Sequence, residues 1–111
     1  MDISPVEVRY YQTAAGRCPF RAWFSLRGRA EQAVIDARIT RLRRGLAGDQ
    51  KYLGNGIYEL RFHAGPGYRI YFGKDGRTLL ILLIAGDKKS QPADIENARV
   101  FWEDYLRRTR P

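Results

Sequence analysis

The stretch "GIYELRFHAGPGYRIYF", Gly56 to Phe72, decides how this chain folds. Tyr58, Leu60 and Phe62 alternate with polar residues, and so do Tyr68, Ile70 and Phe72. That is the pattern of two half-buried strands around a Gly-Pro-Gly turn. One buried face requires Phe62 opposite Tyr68 and Leu60 opposite Ile70, because a slip of one residue would send half of these groups to water. The same register sets Arg61 opposite Arg69 and Glu59 opposite Tyr71. The loop it leaves, His63 to Gly67, contains the glycines such a turn needs.

Like charges directly opposite on a sheet normally destabilise it. Two arrangements relieve the repulsion between Arg61 and Arg69. An anion can sit between them, or Glu59 can bridge diagonally to Arg69. The first describes a phosphate site, in which fixed guanidiniums favour the extra negative charge of a phosphoryl-transfer transition state. His63 is the natural general base near neutral pH, or else simply a turn residue capping the hairpin. Glu59 is open to two readings, a base or an orienter of Arg69.

The rest of the chain supplies cover for this hairpin. Val6 to Gln12 reads as a strand, ended by Gly16. "CPFRAWFSL", Cys18 to Leu26, reads as a short helix with Pro19 in its first turn and Phe20, Trp23 and Phe24 as core. Arg29 to Leu46 is a longer helix with Ile35, Ile39, Leu42 and Leu46 on one face, widened by Ala30, Ala33 and Ala37. Arg38, Arg41 and Arg44 share another face, which is either a solvated side or a phosphate-tracking stripe. Asp49 to Gly56, containing Lys51, reads as a polar loop. After the tight turn at Asp75-Gly76, "TLLILLIAG" is a third strand, apolar on both sides and therefore belonging inside a sheet covered on both faces. Asp94 to Arg108 is a final helix with Ile95, Ala98, Phe101, Trp102 and Tyr105 on one side, followed by a basic tail. The expected architecture is one α+β domain spanning residues 1–111. Its antiparallel sheet, an N-terminal strand plus a three-strand meander, packs with two N-terminal helices and a C-terminal helix.

Composition narrows the partner. The 111 residues carry a formal charge of +8, and the 20 basic residues are 16 Arg and 4 Lys. An Arg-rich basic chain matches a polyanion, usually nucleic acid, because the guanidinium fork fits phosphate. Cys18 is the one cysteine, so no intrachain disulfide forms and a reducing cytoplasm is expected. With one Cys and one His, a Cys/His metal site is not expected. The stretch "MDISPVEVRYY" lacks the charged start and long apolar run expected of a signal peptide, and the longest apolar run, Leu79 to Ala85, is far short of the ~20 residues that span a bilayer.

Two motifs carry a family resemblance: "ELRFHAGPGYRIYF" and "GDKKSQPADIENA". In this order, with the aromatic-bearing last helix, they resemble the RelE/ParE toxin superfamily, and most closely its phage-derived addiction-module killer proteins, akin to HigB toxins. The resemblance covers nearly the whole chain. It implies a toxin made beside an antitoxin, often of helix-turn-helix type, that cuts messenger RNA on the ribosome without metal or cofactor. Arg61 and Arg69 occupy the positions of the phosphate-stabilising arginines, and Lys88 and Lys89 those of a basic residue after the last strand. No tyrosine follows "GDKKS" to stack on a base or pass a proton; Tyr71 and Tyr105 do not match by position. Glu59, His63, Tyr71 and Lys88 are thus the candidate acid–base groups beside Arg61 and Arg69, with Lys51, Lys89, Arg38, Arg41 and Arg44 as nucleic-acid contacts. The rival functions are a gyrase-inhibiting toxin of the same superfamily and a non-catalytic RNA-binding module.

Overall fold

The structure is a computed structural model, and it describes residues 5–63 and 65–111. Ala64 of the Gly-Pro-Gly turn and the first four residues lie outside it. In chain order the elements are β1 (Glu7–Tyr10), α1 (Pro19–Ser25), α2 (Arg29–Arg43), β2 (Gln50–Gly54), β3 (Ile57–Arg61), β4 (Arg69–Asp75), β5 (Leu79–Gly86) and α3 (Gln91–Thr109). They build a small α+β fold with one five-stranded mixed sheet in the order β1-β5-β4-β3-β2.

The central hairpin has the register its apolar pattern demands. Tyr58 pairs with Phe72, Glu59 with Tyr71, Leu60 with Ile70 and Arg61 with Arg69. The Phe62 amide donates to the Tyr68 carbonyl, extending the ladder by one step. Gly65 (φ 63°) and Gly67 (φ 75°) take left-handed conformations in the turn, which accounts for glycine at both.

Two expectations are corrected at the sheet edges. The sheet has five strands, because Gln50–Gly54 is a strand where a polar loop was expected. It is an edge strand, exposed along most of its length, so it lacks the apolar alternation that marks a half-buried strand. Its turn was legible: Asn55 (φ 54°) and Gly56 (φ 85°) form the Asn-Gly connection typical of tight hairpins. At the other edge, β1 is shorter than Val6 to Gln12 and runs parallel to β5, so the sheet is mixed and not antiparallel.

Helices cover both faces. On one side Phe20 of α1 and Ile35, Ile39 and Leu42 of α2 pack on Leu60, Ile70, Phe72, Leu80 and Leu82. On the other, Ala98 and Trp102 of α3 pack on Ile57, Tyr71, Ile81 and Leu83. Strand β5 feeds both cores, as its continuous apolar run requires. Ala30, Ala33 and Ala37 do not widen the buried face of α2; all three are exposed. Helix α3 begins at Gln91, earlier than expected, with Ser90 ahead of its first turn. Among the described residues no helix is long and apolar enough to cross a membrane.

Close approach of α3 depends on two strand glycines that have no room for a side chain. A Cβ on Gly73 would fall 2.3 Å from the Trp102 ring, and one on Gly86 would fall 1.9 Å from Asp94 Oδ2. Trp102 is anchored by its indole N–H, which donates to the Asn55 carbonyl at 2.9 Å, so the ring has little freedom to yield. Gly73→Ala is therefore expected to lower stability by about 1–3 kcal/mol, the usual penalty for overpacking. Urea unfolding followed by tryptophan fluorescence checks it, and an unchanged midpoint would show that α3 shifts at no cost.

Candidate functional site

Sheet pairing gathers the predicted residues at one end of β3 and β4. Arg61 faces Arg69, and Arg69 in turn faces Gly86 on β5. One step along, Lys51, Glu59, Tyr71 and Ile84 form the neighbouring row. Side chains of both rows point to the α3 face of the sheet. The half-buried strands expected from the alternation are corrected here, because α3 lies across this second face. Glu59 is 1% exposed and Tyr71 0%. The Arg69 side chain is 13% exposed and that of Arg61 is 36%. Arg69 therefore sits deep in the site and Arg61 at its mouth.

Each guanidinium has its own carboxylate. Glu59 Oε1 lies 4.0 Å from Arg69 Nε, the diagonal contact considered from the sequence. That separation is too long for a hydrogen bond, so the attraction is Coulombic only. Glu59 is held elsewhere, through Oε2, which accepts from Gln91 Nε2 of α3 at 2.6 Å. Arg61 Nη2 donates to Asp49 Oδ1 at 3.3 Å. The repulsion between the arginines is thus offset from both flanks rather than from between them.

Four buried polar atoms of this patch have no hydrogen-bond partner among the described residues: Glu59 Oε1, Arg61 Nε, Arg69 Nε and the Tyr71 hydroxyl. Native structures satisfy nearly all such groups, so four on one patch single it out as the candidate site. Burial, with the nearby Glu59 and Asp94 carboxylates, pushes the Tyr71 phenol far above its usual range. It therefore stays protonated at physiological pH and is no phenolate base. Asp94 is raised as well, mainly by burial, although the Ser90 hydroxyl that donates to it and the Asp87 charge also act on it.

The remaining candidates surround the pair. His63 is 81% exposed, and its Nε2 lies 2.6 Å from Asp49 Oδ2. Lys88 and Lys89 are exposed on the β5–α3 loop. With Pro66 and Asp87 they line an open cleft beside the hairpin turn. That loop is braced by Asp87 and Ser90, each accepting from the other's amide through its side chain. Arg38 is half-buried, and its two terminal nitrogens donate to three main-chain carbonyls. Nη1 donates to the Arg61 carbonyl at 2.8 Å, and Nη2 to the carbonyls of Ala47 and Asp49. Arg41 is exposed and lines a hollow with Arg38, Phe62 and His63. Arg44 is exposed at the C-terminal cap of α2, outside that hollow. Two site residues escaped the sequence reading, Asp49 and Gln91. Asp49 was hidden because β2 was not recognised as a strand. Once the Asn-Gly turn is read as a hairpin, the residue before Gln50 falls opposite Arg61.

Residues 23–100 match the family model described as Phage derived protein Gp49-like (DUF891), a span that includes both arginines, His63 and the lysine loop. The chain belongs to this Gp49-like family. It is also 42% identical over 86 residues to a Haemophilus influenzae protein described as "Uncharacterized protein", covering 77% of this chain and 87% of that one. In the Gp49-like chain the paired arginines differ in what they support. Removing Arg69 leaves the buried Glu59 carboxylate without its nearest cation, whereas Arg61 is half-exposed and bound to a surface aspartate. Arg69→Ala is expected to cost about 1–3 kcal/mol of stability and Arg61→Ala less than about 1 kcal/mol. Parallel urea titrations check the ranking; equal losses would show that Glu59 does not depend on Arg69.

Proposed function

We propose that this Gp49-like protein is the toxin of a type II toxin-antitoxin module and acts as a metal-independent, ribosome-dependent mRNA endoribonuclease of RelE-like, and specifically HigB-like, type. Membership of the Gp49-like family, a RelE-like toxin family, is consistent with a toxin. The observation that carries the reading is the Arg61–Arg69 pair, whose buried Nε atoms have no hydrogen-bond partner among the described residues.

Relative strengths favour a phosphate over the resident carboxylates. The Arg61–Asp49 contact is a single 3.3 Å hydrogen bond at a partly exposed position, a type of pair worth only about 0–1 kcal/mol. A phosphate can take two parallel charge-assisted hydrogen bonds from a guanidinium, and these are roughly twice as strong as neutral ones. An incoming phosphodiester is therefore able to displace Asp49 from Arg61 and reach toward Arg69 behind it.

The reaction proposed is internal transesterification of the RNA backbone. A base removes the proton of the ribose 2′-OH, and the oxygen attacks the adjacent phosphorus. The bond to the 5′-oxygen breaks, that oxygen takes up a proton, and a 2′,3′-cyclic phosphate remains. His63 is the base in this proposal, since it is exposed and within reach of the mouth of the site. Arg61 and Arg69 stabilise the extra charge on the phosphoryl oxygens as it develops. Lys88, Lys89, Lys51 and Arg41 hold the flanking backbone. A cognate antitoxin, of helix-turn-helix type and with acidic side chains, would have to cover this basic end to silence it.

Induced expression followed by primer extension on cellular mRNA tests the proposal. Wild-type protein is expected to give codon-phased cuts and growth arrest. Arg61→Ala should lose about a hundredfold or more in cutting rate, the usual loss when one transition-state donor is removed. Growth arrest with intact mRNA and an SOS response would replace this reading with gyrase inhibition.

A further inference from the structure

Asp49 is clamped before any substrate arrives. Its main-chain carbonyl accepts from the Arg61 amide at 2.9 Å and from Arg38 Nη2 at 3.2 Å. Those bonds hold it at the end of β3, between the C-terminus of α2 and the start of β2. The carboxylate then divides between two partners. Oδ1 accepts from Arg61 Nη2 at 3.3 Å, and Oδ2 lies 2.6 Å from His63 Nε2.

We infer that Asp49 is the positioning residue of this site, fixing the His63 ring so that Nδ1, not Nε2, is the atom that takes the substrate proton. The inference rests on the proposed role of His63 as base and adds which atom acts and what holds it. A carboxylate is an acceptor only, so the nitrogen facing it must carry the proton. In the neutral imidazole the lone pair then sits on Nδ1, turned away from Asp49. Asp49 remains a carboxylate at neutral pH: partial burial pushes it up, but the Arg61 charge and the hydrogen bonds from His63 and Arg61 hold it below its ordinary range.

Among the described residues Asp49 is the one carboxylate within 4.0 Å of the His63 ring nitrogens. Arg38 and Arg41 of α2, which share a hollow with His63, are cations without an acceptor atom. His63 is mostly exposed, so a ring released from Asp49 is free to turn and to exchange tautomers. The same carboxylate shares Arg61 with the incoming phosphate. Its removal is therefore expected to slow the chemical step while leaving substrate affinity unchanged or tighter.

The test uses Asp49→Ala and Asp49→Asn in the full chain. Both retain the main-chain carbonyl that Arg38 and Arg61 hold, and Asn keeps the side-chain shape. His63 is the single histidine, so its two ring nitrogens are assigned without ambiguity in long-range 1H–15N spectra. Wild type, at a pH where the ring is neutral, should show the Nε2–H tautomer alone, and Asp49→Ala a mixture. On mRNA-programmed ribosomes, Asp49→Ala should lower kcat about ten- to a hundredfold with KM equal to or below that of wild type. A wild-type ring with its proton on Nδ1, or an Asp49→Ala variant with wild-type kcat beside a slow His63→Ala, overturns the inference alone. A His63→Ala variant with wild-type kcat instead overturns the reading of His63 as base, on which the inference rests.

Discussion

The pairing of Leu60 with Ile70 in the middle of the sheet sets the position of nearly everything else. Both side chains are fully buried against the helices of one face, and neither can move a step along its strand without exposing a row of apolar groups. Strand alternation then forces Arg61 and Arg69 to the opposite face, side by side. The placement of two like charges is thus not chosen locally. It follows from the core on the other side of the sheet, and the protein must offset it with whatever it can bring to that end.

It brings three elements. Strand β2 supplies Asp49 at its entrance, α3 supplies Gln91 to hold Glu59, and the β5–α3 loop supplies two lysines across from the hairpin turn. Gly73 and Gly86 make the α3 contribution possible by leaving the sheet surface bare where Trp102 and Asp94 approach. The result is graded. Glu59 and Tyr71 are sealed in, Arg69 shows little of its side chain, and Arg61 and His63 stand at the opening. A phosphate entering that opening would meet cations in order of increasing burial, where fixed charges act most strongly.

Much of this was legible in the sequence because one repeat of two carries it. The alternation in Tyr58 to Phe62 and Tyr68 to Phe72 settles both the register and the arginine pair. The continuous run in Leu79 to Ala85 requires cover on both faces. What was not legible depended on weaker signals. Strand β2 offers only Tyr52 and Leu53 as apolar residues, so its polar edge concealed both the fifth strand and Asp49. The face bearing Glu59 and Tyr71 looks polar in one dimension. Only the crossing of α3 in three dimensions, permitted by two glycines whose role is the absence of a side chain, turns it into the second core. Arg38 looked like one of a stripe of three, yet its guanidinium closes the carbonyls of Ala47, Asp49 and Arg61.

Arg61 and Arg69 are proposed to receive one backbone phosphate together. Arginine side-chain N–H resonances of the intact protein, followed by NMR during titration with a short oligonucleotide in which every sugar is 2′-deoxy, test this. The missing hydroxyls prevent cleavage while leaving the phosphates in place. The Arg61 and Arg69 Nε–H signals are expected to shift together and saturate at one concentration, while those of Arg107 and Arg108 on α3 stay where they are. Shifts confined to the α3 arginines or to exposed Arg41 and Arg44, with Arg61 and Arg69 unmoved, would contradict it.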